Sequence, residues 1–300
     1  MARQQNYVYA GGNHDDIPQT ATHVSIHESI KVIEEEAFYM HPNIIELICH
    51  NSVGKIEEDA FYYCLRLKRL VMHGVEEVEG WAFYDCESIE HVECDKLEII
   101  RSHAFQSCES LIGINLPSIS FVGLQAFDGC TAITHAKFGK DLERIDSWAF
   151  TGCRSLERIT IPLKRALVIE DDVFAGCQSL KYVDLVEENI LRETVAALHL
   201  DSWRDNMNAR IEVIIGILQS SCSGDWFDED SDEIDEGDIA MNIRIWILMV
   251  LTGIIEYKAK HRALLNSATA ILQTILPNDV VMNNVIPFLD LPLYKFDGEE

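Results

Sequence analysis

The sequence of 300 residues predicts an α+β solenoid: a stack of short repeats with a parallel sheet on one face, followed by an α-helical hairpin or coiled-coil segment. Three observations predict this fold. A phenylalanine, preceded by alanine in all copies but the last, recurs every 22 to 24 residues, apolar residues keep a fixed spacing from it, and the period becomes helical after Leu185. Internal repetition at a constant period is the sequence signature of a solenoid.

The repeat is defined by its phenylalanine, which ends an Ala-Phe pair in six copies and the pair Val173-Phe174 in a seventh. An apolar residue precedes each phenylalanine by five and by eight positions, and another follows it by six. Three positions after the phenylalanine stands a cysteine in six copies and His41 in the first. An apolar-x-apolar triplet comes next, for example Ile114-Asn-Leu116. The phenylalanines are Phe38, Phe61, Phe83, Phe105, Phe127, Phe150 and Phe174.

The triplet predicts a short strand whose alternate residues point into the core. A period of about 22 residues is the length of a leucine-rich repeat. Stacked triplets form the parallel sheet, and the Ala-Phe segment returns along the opposite face with its ring in the core. One repeat cannot bury its own apolar face, so the copies must stack. Because Val24-Ser-Ile26 matches the triplet, we predict a leucine-rich-repeat stack over residues 24–186, a half-repeat plus seven repeats, behind a polar N-terminal segment, residues 1–23.

This frame, with cysteine three residues after Ala-Phe and leucine or isoleucine three residues further, resembles the BspA-like leucine-rich-repeat family over about residues 24–186. The resemblance implies an adhesion or interaction module, and bacterial members of the family are often exposed at the cell surface. The residue pattern alone predicts the solenoid, and the resemblance adds the expectation that the protein binds another macromolecule.

A helical C-terminal segment, residues 187–300, is predicted to cap the stack. Leu200, Met207, Ile211, Ile214 and Leu218 form an apolar stripe typical of one helix. Residues 225–238 hold nine carboxylates in fourteen positions, which predicts a solvated acidic loop. A long helix then covers residues 239–276, with apolar residues at alternating steps of four and three.

The apolar seam of helix 239–276 allows two interpretations. It packs within one chain as part of the cap, or it forms a homodimer with a second chain. Ile245, Leu248, Leu251 and Ile255 add a second apolar face, from which we expect the first half of the helix to be buried all round. The heptad segment and the stretch that closes it at residues 276–284 are similar to uncharacterised algal proteins that append helices to such repeats.

The charge balance disfavours two classes of ligand. Lys and Arg total 24 against 50 Asp and Glu, a formal net charge of −26. Nucleic-acid backbones and anionic lipids both require a cationic surface, so we expect neither nucleic acid nor membrane as a partner. The N-terminus has no apolar core of a signal peptide, and the longest apolar run is far shorter than a bilayer span. We therefore expect a cytoplasmic protein, with the nucleus as the other possibility.

Catalytic and metal-binding patterns are not recognised in the sequence. The repeat cysteines are 22 to 24 residues apart, whereas zinc sites use close pairs, so we interpret them as buried core thiols. Cys222 alone is predicted to lie in an exposed loop. The acidic run does not fit an EF-hand, because Glu233 stands where glycine is needed and Ile239 where glutamate is needed. We expect no cofactor, no metal and no enzyme activity.

The outward residues of the predicted strands form the candidate binding surface, which we call the strand face. It corresponds to the concave sheet with which solenoids bind their partners. Its basic residues make it less acidic than the whole chain, so an acidic protein segment is the expected ligand, with residues 225–238 as a competitor in the same chain. The candidate residues are Arg69, Val71, His91, Glu93, Asn115, His135, Lys137, Arg158, Thr160, Tyr182 and Asp184.

The function predicted from these patterns is a non-enzymatic scaffold for protein–protein interaction. Two alternatives stay open at this point. One is a cell-surface adhesin, and the other is a regulatory subunit that binds an enzyme.

Overall fold

The computed structural model describes residues 4–12, 14–164, 166–186, 240–241, 243–245 and 247–248. One 3₁₀ turn, His14–Asp16, lies between the first two strands. The strands in chain order are β1 (Asn6–Tyr9), β2 (His23–Ile26), β3 (Val32–Ile33), β4 (Glu46–Ile48), β5 (Lys55–Ile56), β6 (Arg69–Val71), β7 (Glu77–Val78), β8 (His91–Glu93), β9 (Ile99–Ile100), β10 (Gly113–Leu116), β11 (Phe121–Val122), β12 (His135–Phe138), β13 (Arg144–Ile145), β14 (Arg158–Pro162), β15 (Val168–Ile169) and β16 (Tyr182–Val186).

From β2 to β16, each longer strand contains at least the first two residues of its predicted triplet and pairs in parallel, so the repeat solenoid of about seven turns is confirmed. They form two sheets, with strand orders β1-β2-β4-β6-β8 and β10-β12-β14-β16. Equivalent residues of successive repeats are opposite one another, as Arg69 is to His91 and His135 is to Arg158. No ladder joins β8 to β10 in the described part of the chain, so the predicted single sheet is interrupted there.

A third parallel sheet, which we call the short-strand sheet and which the sequence did not predict, consists of the two-residue strands. Its seven strands follow the order β15-β13-β11-β9-β7-β5-β3. The second residue of each is the apolar position five before phenylalanine, and all seven are buried. Two residues are too few for an alternating pattern, which is why this sheet gives no signal of its own in the sequence.

A ladder of phenylalanine rings fills the centre of the stack. Neighbouring rings are nearly parallel, with centroids between 4.7 Å for Phe38–Phe61 and 5.9 Å for Phe150–Phe174. Every one of these phenylalanines is fully buried. The turn that carries each ring needs two residues with positive φ, one two positions before it and one two positions after it. The later position is glycine in the last three repeats, Gly129, Gly152 and Gly176, and another residue in the first four.

The stack begins ahead of the boundary drawn at residue 24. β1 pairs in parallel with β2, and the Thr22 hydroxyl accepts a hydrogen bond from the Gln5 amide over 2.8 Å. Tyr9 is buried with its ring 4.8 Å from that of Phe38, so it caps the phenylalanine ladder. The segment predicted as polar and separate thus contributes a strand and an aromatic ring to the first turn.

At the other end, the described residues between 240 and 248 are α-helical. Ala240, Ile243 and Ile247 are buried in the apolar core. The Arg244 guanidinium donates hydrogen bonds to the Ile169 carbonyl oxygen, over 2.8 Å, and to Asp171, over 2.7 Å. This helix therefore covers the last turn of the solenoid.

The expectation of burial on all sides is wrong for the part of this helix that is described, because Ile245 and Leu248 are 43% and 51% exposed. The described helical residues form no span that is long and apolar enough to cross a membrane. The predicted helices before residue 239, the acidic loop 225–238, Cys222 and the remainder of helix 239–276 lie outside the described residues.

Candidate functional site

The strand face has the predicted orientation. All eleven candidate residues are exposed or half-buried, whereas most of the residues between them in the same strands are fully buried. The interruption between β8 and β10 divides them into two groups. Arg69, Val71, His91 and Glu93 lie on β6 and β8, and the other seven lie on β10, β12, β14 and β16.

In the first group, Arg69 is neutralised within the chain. Its Nη1 donates a hydrogen bond to Glu46 over 2.6 Å, and its Nη2 donates one to Glu93 over 2.6 Å. These hydrogen bonds, that to Glu46 foremost, raise the pKa of the guanidinium above its usual value. A guanidinium between two carboxylates has little affinity left for a third, so Arg69 is poorly suited to bind an acidic partner.

In the second group, Arg158 is held in place by two neighbours. Its Nη1 donates a hydrogen bond to Asp184 over 2.5 Å, and its guanidinium carbon lies 4.4 Å from the centre of the Tyr182 ring. The cation–π contact and the ion pair hold the Arg158 and Tyr182 side chains in place, so these side chains lose less rotamer freedom when a partner binds. Arg158 and Tyr182 therefore form a pre-ordered feature of the exposed sheet.

Lys137 and His135 supply the remaining polar groups of the second group. No carboxylate in the described ranges forms an ion pair with Lys137. The His135 ring lies over the backbone of Gly113, where an added Cβ would be 2.2 Å from the ring. Its Nδ1 is 3.1 Å from the Thr134 hydroxyl. Glycine in β10 thus makes the space that the imidazole occupies.

The strand face differs in charge from the chain as a whole. Its outward positions from β4 to β16 hold three cations and three carboxylates, a balance of zero with histidine neutral, against −26 for the chain. The cations are Arg69, Lys137 and Arg158, and the carboxylates are Glu46, Glu93 and Asp184. The strand face is consequently a neutral strip on an acidic protein.

The repeat cysteines are core residues, as the sequence indicates. All eight cysteines in the described residues are buried. Burial raises the pKa of Cys64 to about 12 and those of Cys86, Cys108 and Cys153 well above the ordinary value. Such thiols stay protonated near neutral pH and are poor nucleophiles. The described residues contain no group of three or more His, Cys, Asp or Glu arranged to hold a metal ion.

The structure has a second candidate surface, which was not predicted from the sequence. We call it the tyrosine groove, and it is lined by Tyr39, Tyr62, Tyr84, Glu36, Asp59 and Trp81. The tyrosines follow the phenylalanines of the first three repeats by one position, and the other three precede them by two. A tyrosine at the same offset in three successive repeats was the available signal. The groove lies on the turns that carry the phenylalanine ladder, away from the strand face.

The family model for the BspA type leucine rich repeat region matches residues 19–123 and 98–192, in six copies. Among solved structures, the chain is similar to a leucine rich repeat protein of T. pallidum, at 21% identity and a TM-score of 0.37, covering 66% of this chain and 85% of that one. It is also similar to the pneumococcal vaccine antigen PcpA, at 18% identity and a TM-score of 0.41, covering 61% and 55%. No curated protein matches the chain.

Proposed function

Because the chain belongs to the BspA type leucine-rich-repeat family, we propose that it is a non-enzymatic protein-binding scaffold whose strand face binds an acidic segment of a partner. Members of this family are generally protein-interaction or surface proteins. The observation that carries the proposal is the neutral strip of the strand face on a chain of net charge −26. Acidic segments are repelled by the rest of the surface, so the strip is where they can approach most closely.

The contact is centred on Lys137 and the Arg158–Tyr182 pair. No carboxylate within the described ranges pairs with the Lys137 ammonium, which can therefore bind a carboxylate of the partner. Arg158 and Tyr182 are of the residue types that dominate protein interfaces, and their mutual contact reduces the ordering cost of binding. Arg69 contributes less, because Glu46 and Glu93 already neutralise it.

The test uses a fluorescein-labelled peptide with the sequence of residues 225–238 as an acidic probe, and fluorescence anisotropy as the readout. We expect Lys137→Gln to weaken binding about fivefold or more, which corresponds to loss of one charge-assisted contact. Lys31→Gln removes the same charge outside the strand face and should leave binding nearly unchanged. Equal effects of the two substitutions would reduce the interaction to a response to net charge and overturn the proposal.

Three further measurements address the same interaction. Binding should weaken as salt rises, because exposed charges are screened over about 8–10 Å at ordinary ionic strength. Deleting residues 225–236 should strengthen peptide binding if that segment competes for the strand face. Gly113→Ala should also alter binding, because the new Cβ forces the His135 ring from its place.

Self-association belongs to the same proposal. The apolar seam predicted over residues 239–276 extends far beyond Ile247, the last buried residue described in the helix. We propose that the seam pairs two chains in the cytoplasm or nucleus. Sedimentation equilibrium at micromolar concentration decides the point, because a species of 34.1 kDa alone would contradict a dimer.

A further inference from the structure

The tyrosine groove presents a regular array of side chains to solvent. The rings of Tyr39, Tyr62 and Tyr84 stack nearly parallel, with centroids 5.2 and 5.0 Å apart. Trp81 stacks on His103 at 5.0 Å and remains 37% exposed. The groove therefore repeats with the period of the solenoid over its first four turns.

Negative charge in the groove is not compensated within the described residues. Glu36, Glu58 and Asp59 all line it, and no Lys or Arg of the described ranges forms an ion pair with any of them. Burial raises the pKa of Asp59, and the charges of Glu58 and Glu36 raise it further. These carboxylates repel one another, and no Lys or Arg of the described part of the chain relieves the repulsion.

Carboxylates on the adjacent short-strand sheet are treated differently. Glu77 and Glu79 on and beside β7 pair with Lys55 and Arg101, at distances from 2.7 to 3.9 Å. The fold thus neutralises acidic residues one segment away, while the acidic residues of the groove keep their charge available for a ligand.

We propose that the tyrosine groove binds an extended, arginine-rich segment of a partner protein. A planar guanidinium can stack on an exposed aromatic ring and at the same time donate two parallel hydrogen bonds to a carboxylate in its own plane, a geometry that the lysine ammonium lacks. Trp81 and Asp59 occupy equivalent positions in successive repeats, so they present those two partners about one strand spacing apart. This site is separate from the strand face and does not depend on it.

The dimensions fit an extended peptide. Successive turns of the solenoid are separated by about 4.8 Å, so the groove extends over roughly 15 Å. Alternate residues of an extended chain lie about 6.6 Å apart on one side. The groove therefore accommodates about three arginines in an alternating sequence, without contact to the residues between them.

The probe for this site is a fluorescein-labelled decapeptide of alternating arginine and serine, with the alternating glutamate and serine peptide as its counterpart. We expect the arginine peptide to bind and the glutamate peptide not to bind. Trp81→Ala and Asp59→Asn should each raise Kd about five- to tenfold, as loss of a cation–π contact or an ion pair predicts.

The repeats supply matched control variants. Trp148 and Asp172 precede their phenylalanines by two positions, have positive φ as Trp81 and Asp59 do, and do not line the groove. Trp148→Ala and Asp172→Asn should therefore leave arginine-peptide binding unchanged, and so should Lys137→Gln on the strand face. Equal losses at groove and control positions would overturn the proposal. Failure of the arginine peptide to bind would also overturn it. If a neutral oligosaccharide instead quenched the fluorescence of Trp81, the groove would be a sugar site and the proposal would be wrong.

Discussion

The Cys86 thiol donates a buried hydrogen bond to the Phe61 carbonyl oxygen of the preceding turn, with Sγ and O 3.1 Å apart. The same bond joins five other cysteines to the phenylalanine one turn earlier. In the first repeat, His41 takes the place of cysteine, and its Nε2 lies 3.2 Å from the Pro18 carbonyl oxygen. The cysteine of each repeat therefore fills the core and hydrogen-bonds a buried backbone carbonyl, which valine or alanine could not do.

Buried thiols should be protected from alkylation. In native protein near neutral pH, we expect iodoacetamide to label Cys222 first and the thiols of Cys86, Cys108, Cys130 and Cys153 far more slowly. The physical reason is that these four have no solvent access. Mass spectrometry of digests taken over time gives the rate at each site, and labelling in guanidinium provides the fully accessible reference. Equal rates for all sites in folded protein would contradict the ladder.

Stability should fall in alkaline solution. Burial raises the pKa of Cys49 and Cys94 to about 12, and that of Cys86 above its ordinary value of 9.0. A thiol whose pKa is higher in the folded than in the unfolded state stabilises the fold. This stabilisation is complete at pH values below the unfolded-state pKa and is lost as the pH rises toward the folded-state pKa. Each such thiol should cost about 1.4 kcal/mol per pH unit above pH 9.

Urea unfolding at pH 8, 9.5 and 10.5 measures this loss. Cys86→Ala removes one titrating group, so its free energy of unfolding should decline less steeply than that of the wild type at the higher pH values. Parallel declines in the two proteins would show that Cys86 ionises as easily in the fold as in the unfolded chain.

Glycine should stabilise the turns that lack it. Ser107 has a φ of 59°, in the left-handed region, and occupies the position of Gly129 in the next repeat. A non-glycine residue in this conformation destabilises the fold by about 1–2 kcal/mol. Replacement by glycine removes that strain but costs about 0.5–1 kcal/mol, because glycine has more conformational entropy in the unfolded state. We therefore expect Ser107→Gly to raise the free energy of unfolding by about 0.5–1 kcal/mol, measured by urea denaturation.

The reverse substitution serves as the control. A Cβ at Gly129 would find its nearest heavy atom at 3.6 Å, an ordinary contact, so space is not limiting. Its φ of 72° is the obstacle, and Gly129→Ala should lower stability by about 1 kcal/mol. Changes of the same sign in both variants would show that backbone strain does not decide this position.

The sequence predicted the solenoid and its repeat period, because buried positions recur at fixed offsets. It did not predict the short-strand sheet or the break between β8 and β10. Gly113 lies at that break and accommodates the His135 ring, a contact that depends on one residue rather than on the repeat. Such local departures from periodicity are invisible to an argument built on the period.

The repeat predicts which residues lie on the strand face, but it does not predict the ion pairs that they form. Stacking of repeats places Arg69 beside Glu46 and His91, but its bonds to both Glu46 and Glu93 depend on the rotamers of long side chains. The tyrosine groove was missed because the tyrosines and the residues three positions before them are brought together only by the left-handed turn around each phenylalanine. Asp59 and Trp81 adopt that conformation without being glycine, so residue type did not indicate the turn.

Loss of one ring from the phenylalanine ladder should be severe and should spread to its neighbours. Phe105 is fully buried, with its centroid 5.0 Å from that of Phe83 and 5.4 Å from that of Phe127. Phe105→Ala should lower the free energy of unfolding by about 3–5 kcal/mol, because it leaves a cavity and removes two aromatic contacts. Phe105→Leu retains most of the apolar volume and should cost clearly less. Because each repeat contacts only its neighbours, hydrogen exchange should accelerate most at the backbone amides of Phe83 and Phe127 and less at Phe38. A uniform acceleration along the stack, or an unchanged urea midpoint for Phe105→Ala, would contradict a solenoid stabilised turn by turn through this ladder.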